Sequence, residues 1–147
     1  MIAQTEKSLL AAREEFEALL EYVQAAGRGG EAMHKVEGNL WEGMLRVGLA
    51  TLEGFVEAQG KGDVGPRLEL EDGRVVKRQE ALHPRRYVSV FGELTITRAV
   101  YGKRKKQRFE AVPLDARLEL PEGDFSYLLH AMRLVPVLEQ VRKVPLR

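Results

Sequence analysis

The spacing of apolar residues changes once along this chain, and that change constrains the fold more than any other feature. Up to about residue 59, apolar side chains recur every three or four positions, as they do in an amphipathic helix. From residue 67 onward they alternate with polar residues in short runs separated by turn residues. The sequence therefore predicts an α+β protein, with an N-terminal helical hairpin followed by a small antiparallel β-meander and a short C-terminal helix.

Residues 1–60 are predicted to form the helical hairpin. Apolar positions such as Leu9, Phe16 and Val23 predict a first helix over Thr5–Ala26, which the glycines at 27, 29 and 30 end. A second helix is predicted over about Glu31–Gln59. Its apolar face comprises Met33, Val36, Leu40, Met44, Val47, Thr51 and Phe55.

Four glycines, at positions 38, 43, 48 and 54, interrupt the second predicted helix. Each costs up to ~1 kcal/mol relative to alanine inside a helix. Their number indicates close helix–helix contact or a kink, and the hairpin is a candidate self-association arm. Trp41 lies beside the apolar face, where a buried core ring is favoured over an anchor for a nucleic-acid base or a partner.

A glycine-rich segment, 61–66, is predicted to be a linker, since it lacks the residue order of a phosphate-binding loop. Residues 67–120 follow as a basic antiparallel module of about five strands. Within it, Glu71-Asp72-Gly73 and Gly92-Glu93 are predicted hairpin turns. Residues 121–147 are predicted to form a short helix, capped by Asp124, and a tail.

Charge is distributed unevenly along the chain. Residues 67–108 carry 12 basic and 5 acidic side chains, whereas the whole chain has a net charge of +1. Such a block focuses positive potential on one region and favours contact with nucleic-acid phosphates. The alternative is a solvated turn whose lysines protect a sheet edge. The predicted DNA-binding residues are Arg85, Arg86, Arg98, Lys103, Arg104, Lys105, Lys106 and Arg108.

Residue types argue against most catalytic sites. The absence of cysteine excludes disulfides, thiolate zinc sites and cysteine nucleophiles. His34, His83 and His130 lack metal-ligand spacing. A group of carboxylates suits turns and helix caps better than a site for a hard cation. These are Asp115, Glu119, Glu122 and Asp124. We therefore predict no catalytic residues, no cofactor and no bound metal.

The N-terminus has no basic stretch followed by an apolar core, so no secretory signal is predicted. No run approaches the ~18 consecutive apolar residues that a membrane-spanning helix needs. Both features predict a cytoplasmic protein.

Residues 83–98, with the sequence HPRRYVSVFGELTITR, open a set of strings that continues with Val100-Tyr101 and Val112-Pro113-Leu114-Asp115. The strings GDVGP at 62–66, DGR at 72–74 and FSYLL at 125–129 accompany it. Together they resemble the N-terminal region of ISKra4-type bacterial insertion-sequence transposases, over about residues 31–132. The lysines and arginine at 103–106 stand where related transposases can carry paired zinc-binding cysteines.

The resemblance implies a non-catalytic DNA-binding and assembly module of a DDE-type transposase. In that family the module precedes a ribonuclease-H-like domain whose acidic triad cuts DNA, and this chain is expected to be a truncated or frameshifted copy without it. The expected partners are DNA, held weakly through backbone phosphates, and a second copy, held through the N-terminal helices. An interaction module without nucleic-acid binding is the alternative, and an independent enzyme a third possibility.

Overall fold

The computed structural model describes residues 2–105 and 108–133 of the chain. They belong to two compact units, Met1–Ala58 and Gln59–Arg147. The first unit is helical and the second combines strands with short helices, so the predicted α+β class is confirmed. Within the described residues, no helix combines the length and the apolar character needed to cross a membrane. The predicted tail from residue 134 lies outside the described part.

The helical unit consists of α1 (Ile2–Gly29) and α2 (Met33–Ala58). Both predicted helices are confirmed, and α1 extends further at each end than its apolar stripe indicated. Gly30 follows α1 with a φ of 63°, a left-handed conformation that glycine adopts without steric cost. The chain then reverses, and the Glu31 amide donates a 3.1 Å hydrogen bond to the Ala26 carbonyl.

Two glycines of α2 allow the helices to pack closely. A β-carbon at Gly43 would lie 2.5 Å from Cδ1 of Leu19, and one at Gly54 would lie 2.9 Å from Cδ2 of Leu9. The structure therefore confirms the predicted close helix–helix contact at these two positions. On α1, the residues buried along the same side are spaced seven apart, at Ala12, Leu19 and Ala26.

This packing changes which residues of α2 are covered. Met33 is 81% exposed and Trp41 is 68% exposed, so the expectation that Trp41 is a buried core ring is wrong. The two helices approach each other most closely at Gly43 and Gly54, so these glycines of α2 face α1. As a result, much of the predicted apolar face of α2 lies beside the interhelical contact rather than within it.

The described part of the second unit contains six strands and two short helices. The first four strands are β1 (Arg67–Glu69), β2 (Val75–Lys77), β3 (His83–Ser89) and β4 (Gly92–Arg98). They are followed by β5 (Tyr101–Lys105), β6 (Arg108–Ala111), α3 (Pro113–Arg117) and α4 (Tyr127–Ala131). α3 was not predicted from the sequence, although a proline in its first turn suits a helix start.

The strands form three antiparallel pairs, β1–β2, β3–β4 and β5–β6, instead of one continuous meander. The strand-to-strand pairing is interrupted at Ala99 and Val100, between β4 and β5. The Ala99 amide donates to the Lys61 carbonyl at 2.9 Å, and the Val100 carbonyl accepts from the Gln79 amide at 2.8 Å. A bridge between Arg78 and Tyr101 then places β2 beside β5. Backbone partners from other segments thus replace the ladder that a meander would continue.

Two small cores stabilise the unit. Val76, Ala99 and Tyr101 are buried together beneath β1, β2, β5 and β6. Val88 of β3 packs against Leu129 of α4 in the second core. The N-cap of α4 is Ser126, whose hydroxyl accepts a 3.2 Å hydrogen bond from the Leu129 amide. Asp124, the predicted cap, instead accepts through its backbone carbonyl from the Val88 amide.

Residues 61–66, the predicted linker, belong to the second unit and pack within it. The Tyr101 side chain is fully buried, and its hydroxyl donates to the Gly65 carbonyl at 2.6 Å and accepts from the Val64 amide at 3.0 Å. Gly62 has a φ of 72°, and a β-carbon there would lie 2.7 Å from the Leu114 nitrogen. The segment is therefore anchored at both ends to β5 and α3.

Replacing Gly62 with alanine should destabilise the second unit by about 2–4 kcal/mol, because strain and a backbone clash act together. Gly73→Ala is the matched control, since Gly73 also has a positive φ, of 87°, but open space around it. The control should cost only about 1 kcal/mol. Hydrogen exchange of the Ala99 amide measures both losses. Equal losses in the two variants would contradict the packed position of Gly62.

Candidate nucleic-acid interface

The eight predicted DNA-binding residues fall into three groups in the structure. Arg85, Arg86 and Arg98 lie on the β3–β4 pair and contact carboxylates. Lys103 and Arg104 are exposed on β5. For Lys105 and Arg108 the structure gives a strand position only, and Lys106 lies outside the described residues.

Asp115 of α3 binds two of these arginines at once. Arg98 donates from Nε to Oδ1 at 2.9 Å and from Nη2 to Oδ2 at 3.3 Å. Arg85 donates from Nη1 to Oδ2 at 2.9 Å. The three side chains are between 10% and 21% exposed, so water screens the attraction only partly. Asp115 therefore links α3 to both strands of the β3–β4 pair.

The remaining donors of these arginines satisfy backbone carbonyls. Arg85 Nη2 donates to the carbonyls of Pro121 and of Gly123, the latter at 2.9 Å. Arg98 Nη1 donates to the His83 carbonyl at 3.3 Å. Arg85 thus closes the 121–123 segment onto β3. These contacts give both arginines a structural role, and few of their donors are left for a ligand.

Other arginines of the basic block are also paired. The Glu93 carboxylate, at 2.6 Å from Arg86 Nε, raises the pKa of Arg86, and Asp124 adds a 3.2 Å contact. The Arg78 guanidinium lowers the pKa of Asp63, to which it donates at 2.7 Å. Each of these ion pairs removes net positive charge from the surface.

Arg74 is held at the turn between β1 and β2. Its hydrogen bond with Asp72, 2.8 Å from Nε to Oδ2, raises the pKa of Arg74 and lowers that of Asp72. Arg74 Nη1 also donates to Glu110 of β6 at 3.0 Å. This turn is thereby joined to the β5–β6 pair.

A cleft of about 700 Å³ opens beside the Asp115 cluster. Four predicted residues line it: Arg85, Arg86, Arg98 and Arg104. Four carboxylates line it as well: Glu110, Asp115, Glu122 and Asp124. The formal charges of these side chains cancel, so the cleft lacks the surplus of cations that a polyanion requires. The structure therefore brings four of the eight predicted DNA-binding residues together in one cleft, but it places carboxylates beside them.

The aromatic contribution to the cleft is already engaged. The Phe109 ring of β6 packs against His83, with ring centroids 4.6 Å apart and planes inclined by 59°. The guanidinium carbon of Arg104 lies 5.9 Å from the Phe109 centroid, which is the range of a cation–π contact. Phe109 therefore positions Arg104 on the strand that carries it.

Four cations of the basic block have no salt bridge to any carboxylate in the described part of the chain. They are Arg67, Lys77, Lys103 and Arg104, and all are exposed. We call them the unpaired cations. Arg67 faces Lys77 directly across the β1–β2 pair, where like charges repel each other. Such an unfavourable pair on an exposed face suits an anionic ligand.

Arg67 was not among the predicted site residues, although the sequence contains a signal for it. The predicted loop Glu71-Asp72-Gly73 implies the register in which residue 67 lies opposite residue 77, and that register is observed. Charge counting along the chain does not reveal which cations a fold will neutralise. That information depends on contacts with residues far away in sequence, such as Asp63 and Asp115.

Across residues 2–105 and 108–133, no three His, Asp or Glu side chains come together as metal ligands. Of the carboxylates considered from sequence, Asp115 binds Arg85 and Arg98, and Asp124 binds Arg86. Comparisons with protein-family models, with curated proteins and with solved structures found no match to this chain.

Replacing Asp115 with asparagine should destabilise the second unit by about 2–4 kcal/mol, because two largely buried guanidinium groups lose their counter-charge. Asp72→Asn is the control, since its carboxylate pairs with Arg74 in solvent. The control should leave stability close to that of the wild type. Hydrogen exchange at the Val88 and Ala99 amides reads both. Unchanged protection in Asp115→Asn would show that the cluster does not support the fold.

The Asp63–Arg78 pair should make stability depend on pH in the acid range. The pKa of Asp63 lies below the ordinary 3.8, so the folded state binds its proton less readily than the unfolded state. The stabilisation is complete above pH 3.8 and is lost as the pH falls through the lowered pKa. The stability difference between wild type and Asp63→Asn should therefore be constant near neutral pH and shrink below about pH 4. Urea unfolding at a series of pH values measures this difference, and one that does not begin to shrink below about pH 4 would contradict the pairing.

Proposed function

We propose that this chain is a non-catalytic DNA-binding and assembly module, corresponding to the N-terminal region of an ISKra4-type transposase. The family part of the proposal rests on the residue strings between about 31 and 132. The DNA-binding part rests on one observation: the four unpaired cations lie on β1, β2 and β5, three strands that the Arg78–Tyr101 bridge brings together.

The arrangement favours phosphates over bases as the ligand. Phosphate binding needs several cations on a rigid support, and each contact releases about one counterion. β1, β2 and β5 are supported by the core of Val76 and Tyr101, which holds the strands that carry the unpaired cations in place. All four unpaired cations are lysine or arginine, the side chains that neutralise phosphates. Binding is therefore weak and nearly independent of sequence.

The paired arginines support this surface indirectly. Arg74 joins the β1–β2 turn to β6 through Glu110, and Arg78 joins β2 to the 61–66 segment through Asp63. These contacts hold the strands of the unpaired cations in place. The proposal therefore assigns DNA contact mainly to Arg67, Lys77, Lys103 and Arg104, and scaffold roles to Arg74, Arg78, Arg85 and Arg98.

The salt dependence of binding tests the proposal. Replacing Arg67, Lys77, Lys103 and Arg104 together with glutamine should make the slope of log K against log salt shallower by about 3–4, since about 0.9 counterion is lost per phosphate contact. Fluorescence anisotropy with a short duplex gives the slope.

The matched control removes the same number of charges from the helices, as Lys7, Arg13, Arg28 and Lys35, all exposed, changed to glutamine. Its slope should equal that of the wild type. A slope that changes equally in both variants would show that the effect comes from the net charge of the protein and not from these four positions. A wild type that does not bind duplex DNA at low salt would refute DNA binding outright.

A second candidate function is an interaction module that associates through its helices without binding nucleic acid. The observation that favours it is the large exposure of apolar side chains on both α1 and α2. Normal oligomerisation together with absent DNA binding would select this alternative.

A further inference from the structure

The described residues of the helical hairpin expose large apolar side chains along one side. Seven large apolar side chains on it are between 38% and 52% exposed. They are Leu9, Phe16, Leu20 and Val23 of α1, and Leu40, Met44 and Phe55 of α2. We call these seven residues the apolar face.

The packing of the two helices makes this face continuous. Gly43 lies against Leu19 and Gly54 against Leu9, which sets an antiparallel register. In that register Leu40 is level with Val23. Phe55 is level with Leu9 at the other end. With a rise of 1.5 Å per residue, the strip from residue 40 to residue 55 is about 22 Å long.

The other edge of the interhelical contact is polar and already paired. Arg46 Nε donates to Glu15 at 3.3 Å, and Asn39 Nδ2 donates to the Tyr22 hydroxyl at 2.8 Å. Tyr22 in turn donates to Glu31 at 3.1 Å. The hairpin is thus closed by hydrogen bonds along one edge, and its apolar side chains collect along the other.

The size of the apolar face fits a protein interface. Burying its exposed area together with that of the adjacent Trp41 on two copies would remove about 1,200–1,400 Å² from water, within the range of about 1,200–2,000 Å² typical of specific interfaces. A single copy exposes about half that area, which is large for a patch on a monomeric protein.

Charge restricts what can cover the face. Residues 2–58 carry 10 acidic and 5 basic side chains. Helical periodicity places Glu14 and Glu21 on the side of α1 away from the face, and Glu42 on the far side of α2. Glu17 flanks the face, and Glu37 lies at its end, one turn before Leu40. An anionic membrane surface attracts amphipathic helices whose polar side is rich in lysine and arginine, and the polar side here is acidic. A second identical face meets little such repulsion, because these carboxylates lie behind the face, at its edge or at its end.

From these observations we propose that the apolar face binds the same face of a second copy, so that two hairpins form a four-helix bundle. An antiparallel two-fold axis near Phe16, at the middle of the strip, would place Phe55 of one copy against Leu40 of the other. This inference deepens the assembly part of the proposed function and does not depend on DNA contact.

Two matched variants test the interface. Leu20 of the apolar face and Leu10, which helical periodicity places outside the face about 80° further round α1, are both exposed leucines, at 43% and 53%. Sedimentation equilibrium of the full chain at micromolar concentration should give a dimer for the wild type and for Leu10→Glu. Leu20→Glu should weaken association at least about 100-fold, because each dimer would bury two carboxylates in an apolar contact. Circular dichroism should show unchanged helix content in both variants.

Trp41 supplies a second measurement, since it is the single tryptophan and is exposed beside the face. Its emission should shift to shorter wavelength as wild-type concentration rises, and should stay constant for Leu20→Glu. A wild type that remains monomeric at high micromolar concentration would overturn the proposal, as would a Leu20→Glu chain that still dimerises. A monomeric wild type that binds anionic vesicles would assign the face to a membrane surface instead. A dimer that fails to bind DNA would refute only the DNA-binding part of the proposed function.

Discussion

The second unit depends on one carboxylate, that of Asp115. It binds guanidinium groups from both strands of the β3–β4 pair, and through Arg85 it is connected to the carbonyls of the 121–123 segment that leads to α4. The β-cores are small, with few buried side chains each. The hydrogen-bonded cluster around Asp115 therefore supplies part of the stability that apolar packing provides in larger domains.

Local features of the sequence predicted the elements whose causes are local. The three-four apolar spacing predicted both long helices, and Glu71-Asp72-Gly73 predicted the hairpin that β1 and β2 form. The exposure of Trp41 was not predictable in this way, because periodicity defines a stripe but not the neighbour that covers it. Gly43 and Gly54 determine which side of α2 is covered, because α1 packs closest where the side chains of α2 are smallest.

The candidate site was only partly predictable for a related reason. A run of basic residues along the chain indicated a positive region, yet Arg85 and Arg98 lie close to Asp115, 30 and 17 residues away in sequence. Ion pairs of this kind turn potential ligand contacts into scaffold contacts. Arg67 and Lys77 gained importance for the opposite reason, because strand pairing set two like charges against each other. A candidate phosphate contact is therefore indicated by the cations that remain without a carboxylate partner after folding, and not by the number of cations in the sequence.

The sequence separation of these contacts has a consequence for the order of folding. The helical hairpin closes through a tight reversal near Gly30, and all of its residues have been synthesised once Ala58 is added. The second unit instead requires long-range contacts, such as Tyr101 with Gly65 and Arg85 with Gly123, which are separated by 36 and 38 residues. Contacts of high sequence separation form slowly, and N-terminal elements fold first during translation. During translation the whole helical hairpin is thus synthesised before Asp115, the residue to which both strands of the β3–β4 pair bind.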